Sequence, residues 1–169
     1  MTSILEIYQS GEVRRWHANP AMAHVHDTVA AHSSRVAKII LRFHPAPSMA
    51  LIVAALTHDD GESLTGDVPY PAKRDNQDLA ALLGRIEGRE IARLWGSDTR
   101  AHLAPDSLRW LTFADKLDAY ITVSLHAPHE AEKPEWAKSM RGLWAMAEEL
   151  RISEHLDDLM KQLNTLTSG

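Results

Sequence analysis

The stretch THDDGESLTGDVPYPAK, residues 57 to 73, concentrates a histidine and the acids Asp59, Asp60, Glu62 and Asp67. His58 and Asp59 are adjacent, so one helix end can offer a single cation both an imidazole nitrogen and a carboxylate oxygen. A third donor is His32, three residues after Val29 and four before Val36, on the face that turns towards the core. A fourth is Asp115, which shares a helix face with Leu108, Leu111 and Ala119, an unwelcome place for an unpaired carboxylate. Taken singly, each has an ordinary explanation. A histidine on an apolar face is usually a hydrogen-bonded core residue, Asp115 can pair with Lys116 or an arginine, and acids after His58 suit a solvated loop. Inward-facing ionisable groups on three separate helices, however, are costly unless they compensate one another, and a shared cation does that. The chain has no cysteine, so the donors are His, Asp and Glu, a mixed nitrogen and oxygen set that suits manganese, cobalt, iron, nickel or zinc.

These donors need rigid elements, and the periodicity is helical nearly throughout. Ile4, Leu5, Ile7 and Tyr8 suggest a short opening helix that stops near Gly11. Val29, Val36, Ile40 and Phe43 line one face of a second helix. Pro45 and Pro47 break it, and Ser48 is placed to cap a helix from Met49 to about Thr57. That helix is apolar on most sides, which places it in the centre of the fold. A polar loop follows, its turns set by Gly61, Gly66, Pro69 and Pro71. Further helices begin around Leu79, Leu82, Leu83 and Ile86, run from Pro105 to about Val123 and from Pro134 to Leu150, and span Ser153, as cap, to about Leu163. No segment alternates at period two. The expectation is an all-α bundle of six to seven helices.

The chain's 169 residues fit a single domain, 1–169, with no internal repeat or Gly/Ser-rich linker. A net charge of -5 argues against a nucleic-acid backbone as the main partner, whereas a small phosphorylated ligand needs only a few local cations. The N-terminus lacks the layout of a secretory signal, and the longest apolar run, Met49 to Leu56, is too short to span a bilayer. A soluble cytoplasmic protein with no membrane partner is expected.

The order His, then His-Asp, then Asp on successive helices resembles the HD-domain phosphohydrolases. Two longer stretches sharpen the likeness: RRW at residues 14 to 16 upstream of AHSSRVA, and E-x-x-TGD-x-P-x-P-x-K after the His-Asp pair. Both resemble the 5′-deoxynucleotidase branch typified by bacterial YfbR. The HDDGE variant, the shorter chain and PAKR are also similar to the phage-borne dATP triphosphohydrolases (DatZ-like). The likeness covers roughly residues 12 to 124. It implies an HD-domain bundle with His32, His58, Asp59 and Asp115 as metal ligands and Glu62 and Asp67 in acid/base catalysis, their order undecided. It also implies Arg15, in preference to Arg14, on a phosphate, and Trp16 against the sugar where a ribonucleotide carries its 2′-hydroxyl. Lys73 and Arg74 are candidates to neutralise the outer phosphates of a triphosphate. Where the family often has an acid before the motif histidine, this chain has Ala31.

The chemistry implied is hydrolysis of a 2′-deoxynucleotide at the α-phosphorus with a divalent ion (Co, Mn, Zn, Fe or Ni, with Mg at a second site). The leading expectation is conversion of dATP to deoxyadenosine and triphosphate, favoured by Lys73, Arg74, the compact length and HDDGE. The alternative is a general deoxynucleoside 5′-monophosphatase. A non-catalytic nucleotide-binding HD module ranks lower, because it predicts lost acid/base groups and both Glu62 and Asp67 are retained. Homo-oligomerisation is expected from related enzymes.

Overall fold

Most of the long helices start either where a side chain takes up unpaired N–H groups or on a proline that has none to offer. In the computed structural model, which describes residues 2–167, α1 (Ile4–Ser10) opens on a capping box: Ser3 Oγ accepts from Glu6 N–H while Glu6 Oε2 accepts from Ser3 N–H. Thr28 caps α2 (Val29–Phe43), and Ser48 caps α3 (Met49–Thr57) by accepting from Leu51 N–H at 3.2 Å. The polar stretch after α3 holds two short helices, α4 (Glu62–Thr65) and α5 (Tyr70–Asp75). Asn76 then caps α6 (Gln77–Trp95), which Gly96 ends at φ +85°. α7 (Pro105–His126), α8 (Pro128–Ala131) and α9 (Pro134–Glu149) each begin on a proline, whose missing N–H costs nothing there. α10 (Ser153–Thr167) completes the described chain.

The described residues hold no strand; an isolated antiparallel bridge joins Arg14 to Thr28. The all-α bundle read from the pattern is therefore the fold, with seven helices of seven residues or more and the short α4, α5 and α8 between them. Three local expectations change. The loop after His58 contains α4 and α5. Ser153 is the first residue of α10, not its cap, and that helix continues to Thr167. α3 buries Leu51, Ala54 and Ala55, yet its outer side leaves Met49, Val53 and Leu56 exposed, so it lines the core without being enclosed by it.

α2, α3 and α7 pack on one another, and α9 and α10 close the far side of α7. Val36, Ile40, Leu51, Phe113, Leu117, Leu143 and Leu156 are fully buried among them. A smaller cluster of Met22, Val25 and Val123, flanked by Trp16 and Trp136, pins the 12–28 segment to the other end of α7. No helix among the described residues is long and apolar enough to cross a membrane.

Candidate metal centre and active site

His32 projects from the core face of α2, His58 ends α3, Asp59 follows in the turn, and Asp115 comes from α7. The three core helices thus deliver these side chains to one point. His32, His58 and Asp115 each place a donor atom within 4.8 Å of the others. His32 Nε2 lies 3.2 Å from Asp115 Oδ1, and Asp59 Oδ2 lies 3.4 Å from the Nε2 atoms of both histidines. Donors bound at about 2.1 Å to one ion sit about 3.0–3.4 Å apart, so these separations suit a shared cation.

The hydrogen bonds point the same way. His58 Nδ1 can only donate to the Ala55 carbonyl, 3.0 Å away, and His32 Nδ1 meets Asp118 Oδ2 at 2.7 Å. Each ring thereby turns its Nε2 towards the cluster, and both Nε2 atoms are buried without a hydrogen-bond partner. Burial disfavours charge on His32 and on Asp59. Even so, Asp115, Asp118 and Asp59 hold His32 well above its ordinary range, and His58, His32 and Arg15 keep Asp59 well below the usual carboxylate range. Such a pocket calls for positive charge, which a divalent ion supplies. It is buried only at its floor: the side chain of His32 is fully covered, while that of Asp115 is 42% exposed. Asp115 therefore sits at an open mouth and not, as its helix face suggested, among core residues.

Glu62 opens α4 on the other flank of the site. It is buried, and its Oε2 has no partner. Burial, followed by the charges of Asp59 and Asp67, pushes its carboxyl up to about 9. Gly61 lets the turn approach α6 closely, since a Cβ there would meet the Glu87 carbonyl oxygen at 2.4 Å. Asp67 Oδ2 accepts from Trp16 N–H at 3.2 Å. Lys73 Nζ comes within 3.8 Å of Glu62 Oε1, whereas Arg74 is taken up by Asp75 through Nε and Nη2 at 2.6 and 2.8 Å.

Arg15 is buried, with Nη1 3.5 Å from Asp27 and 3.6 Å from Asp118, and its Nε and Nη1 make no hydrogen bond. Arg14 instead takes part in the bridge to Thr28. Trp16 adopts φ +63°, rare for an aromatic residue, and its indole N–H donates to Asp27 Oδ2 at 3.2 Å. The structure thus gathers His32, His58, Asp59 and Asp115 with Glu62 and Lys73, ties Trp16 to Asp67, and leaves Arg74 with Asp75.

Sequence reasoning missed Asp27, Arg35 and Asp118, which form an ion network with His32 and Trp16. Two of them carried a usable signal. Arg35 lies three residues after His32 and Asp118 three after Asp115, so each shares a helix face with a candidate ligand.

A family model described as 5′-deoxynucleotidase YfbR-like matches residues 7–163, extending the likeness from the motifs through α9 and most of α10. No curated protein and no solved structure matches the chain significantly. The description of the matched family fits the monophosphatase alternative better than the dATP triphosphohydrolase reading. The chain belongs to the YfbR-like 5′-deoxynucleotidase family, a branch of the metal-dependent HD-domain phosphohydrolases.

Proposed function

We propose that the protein hydrolyses deoxynucleoside 5′-monophosphates to deoxynucleoside and phosphate, with His32, His58, Asp59 and Asp115 holding a divalent ion. One observation carries this reading: two buried, unpartnered Nε2 atoms and two carboxylates converge beside the buried acid Glu62. A bound ion would acidify water and polarise a phosphoryl oxygen. The rest of the chemistry falls to side chains. Glu62 keeps its proton in this buried place and donates it to the leaving 5′-oxygen. Asp67, anchored by one oxygen to Trp16, orients the attacking water with the other. Arg15 brings a guanidinium whose Nε and Nη1 make no hydrogen bond, suited to phosphate oxygens. Trp16, pinned at backbone and indole, forms a fixed wall against the sugar, so that exclusion of a 2′-hydroxyl is steric.

Lys73 beside Glu62 favours a second reading, in which an additional cation serves the outer phosphates of dATP. Product analysis separates the two. With added Mn²⁺ or Co²⁺, orthophosphate from deoxynucleoside monophosphates is expected, and release of inorganic triphosphate from dATP, with monophosphates left untouched, would reverse the assignment. Homo-oligomerisation, expected of related enzymes, would cover the outward apolar residues of α3, and light scattering of the eluting protein tests it.

A further inference from the structure

Arg35 is the hub of a charged cluster to which the chemistry above gives no task. Its Nη1 and Nη2 donate to the two oxygens of Asp27 at 3.0 and 2.9 Å, and its Nε and Nη2 donate to Asp118 at 2.6 and 3.1 Å. One guanidinium therefore joins a carboxylate of the 12–28 segment to a carboxylate of α7. Each carboxylate spends its remaining capacity on an aromatic ring. Asp118 Oδ2 takes His32 Nδ1 at 2.7 Å, and Asp27 Oδ2 takes Trp16 Nε1 at 3.2 Å. An unbroken hydrogen-bonded path thus runs from His32 through Asp118, Arg35 and Asp27 to Trp16.

Asp27 and Asp118 are buried, at 4% and 2% exposure, and Arg35 and Arg15 balance their two charges. A staple between the 12–28 segment and α7 would account for the two arginine bridges. It would not account for the outer bonds, which end on a proposed metal ligand and on the proposed sugar wall. Both rings need such support. A metal-ligating imidazole depends on what its other nitrogen donates to, and Trp16 occupies a left-handed backbone conformation that an aromatic side chain disfavours. Lysine cannot replace Arg35, because a point charge cannot bridge two carboxylates with a planar fork.

We propose that Asp27, Arg35 and Asp118 are positioning residues joined at Arg35, with Asp118 fixing the His32 ring for the metal and Asp27 fixing the Trp16 ring for the sugar. The sugar half rests on the monophosphatase reading above; the metal half does not. Two readouts address the two ends: Co²⁺ affinity of the full chain by competition with a chromogenic chelator, and the kcat/KM ratio for a deoxynucleotide over its ribonucleotide. Asp118→Asn is expected to weaken Co²⁺ binding by about 10- to 100-fold and to shift the His32 ¹⁵N imidazole signals, with little change in the ratio. Asp27→Asn should lower the deoxy-over-ribo ratio by about tenfold or more, with Co²⁺ binding close to wild type. Arg35→Lys should move both, the signature of a shared hub, and serves as the test if Asp118→Asn does not fold. Wild-type Co²⁺ affinity in Asp118→Asn or Arg35→Lys overturns the metal half, and an unchanged ratio in Asp27→Asn overturns the sugar half. An unchanged ratio in Trp16→Ala removes the sugar half together with the role given to Trp16. A wild-type protein inactive on every deoxynucleoside monophosphate instead refutes the proposed function, and the Co²⁺ affinities still decide the role of Asp118.

Discussion

Gly61→Ala adds a methyl group where the turn carrying the acids meets α6. An ideal Cβ at residue 61 would lie 2.4 Å from the Glu87 carbonyl oxygen, 2.6 Å from its Cα and 2.7 Å from its carbonyl carbon. Comfortable contacts to these atoms begin at about 3.5 Å, so the overlap is about 1 Å. All three obstructing atoms are backbone inside a 19-residue helix, and no side chain can swing aside. Gly61 itself has φ -64°, which alanine adopts freely, so the objection is one of space alone. Relief requires the Asp59 to Glu62 turn to retreat from α6 by about 1 Å. Overpacking of this kind costs about 1–3 kcal/mol, a fall of roughly 2–12 °C in Tm for a domain of this size. A misplacement of about 1 Å at the reacting groups costs about 100-fold in turnover. Thermal unfolding by circular dichroism and steady-state hydrolysis of a deoxynucleoside monophosphate read the two effects. Gly84→Ala is the internal control: nothing lies within 4 Å of its Cβ, so the added methyl should stabilise α6 by about 0.5–1 kcal/mol. If Gly61→Ala melts and turns over like wild type, the close seat of the turn on α6 is wrong, and with it the reason for a glycine in HDDGE.

Metal removal should abolish turnover and lower Tm. An ion at about 100 times its Kd contributes about 2.7 kcal/mol, and His58→Ala should show no metal-dependent Tm shift. In the metal-free protein Glu62 titrates at about 9, against 4.5 when unfolded. The unfolded chain thus loses this proton first, and the group subtracts stability as pH rises from about 4.5 to 9. Glu62→Gln should therefore flatten the pH–stability profile, stabilising the metal-free protein at pH 8 by on the order of 1–3 kcal/mol while abolishing turnover; an unchanged profile would show that Glu62 is already ionised. Phe113→Ala, at a fully buried position, should cost about 3–5 kcal/mol in urea unfolding, and a loss below 1 kcal/mol would place Phe113 outside the core.

The helices and the clustering of His32 with His58 are legible because both depend on local spacing. Val29, His32 and Val36 must share a face whatever the rest of the chain does, and Ser48 before an apolar run marks a helix start in almost any context. Asp115 was misjudged for the complementary reason. Its neighbours Leu108 and Leu111 fix the face of α7 but not where that face runs out into the mouth of the site, and Leu108 itself is 39% exposed. The Arg35–Asp118 pair spans 83 residues, and the Trp16–Asp67 bond spans 51. Periodicity carries no information across such distances. α4 and α5 were hidden by glycines and prolines that normally signal turns, and they persist because α6 packs against both.

The proposed metal ligands and the residues around them belong to different parts of the chain. His32, His58 and Asp115 ride on helices that make up the core, whereas Glu62, Asp67 and Lys73 ride on an excursion whose helices pack chiefly on one another. That excursion meets the rest of the chain through Trp95 to Asp60 at 2.8 Å, Trp16 to Asp67 at 3.2 Å and the buried Ile91 and Leu94 of α6. Glu62, Asp67 and Lys73 can therefore shift together with α6, while the proposed ligand cluster stays with the core helices.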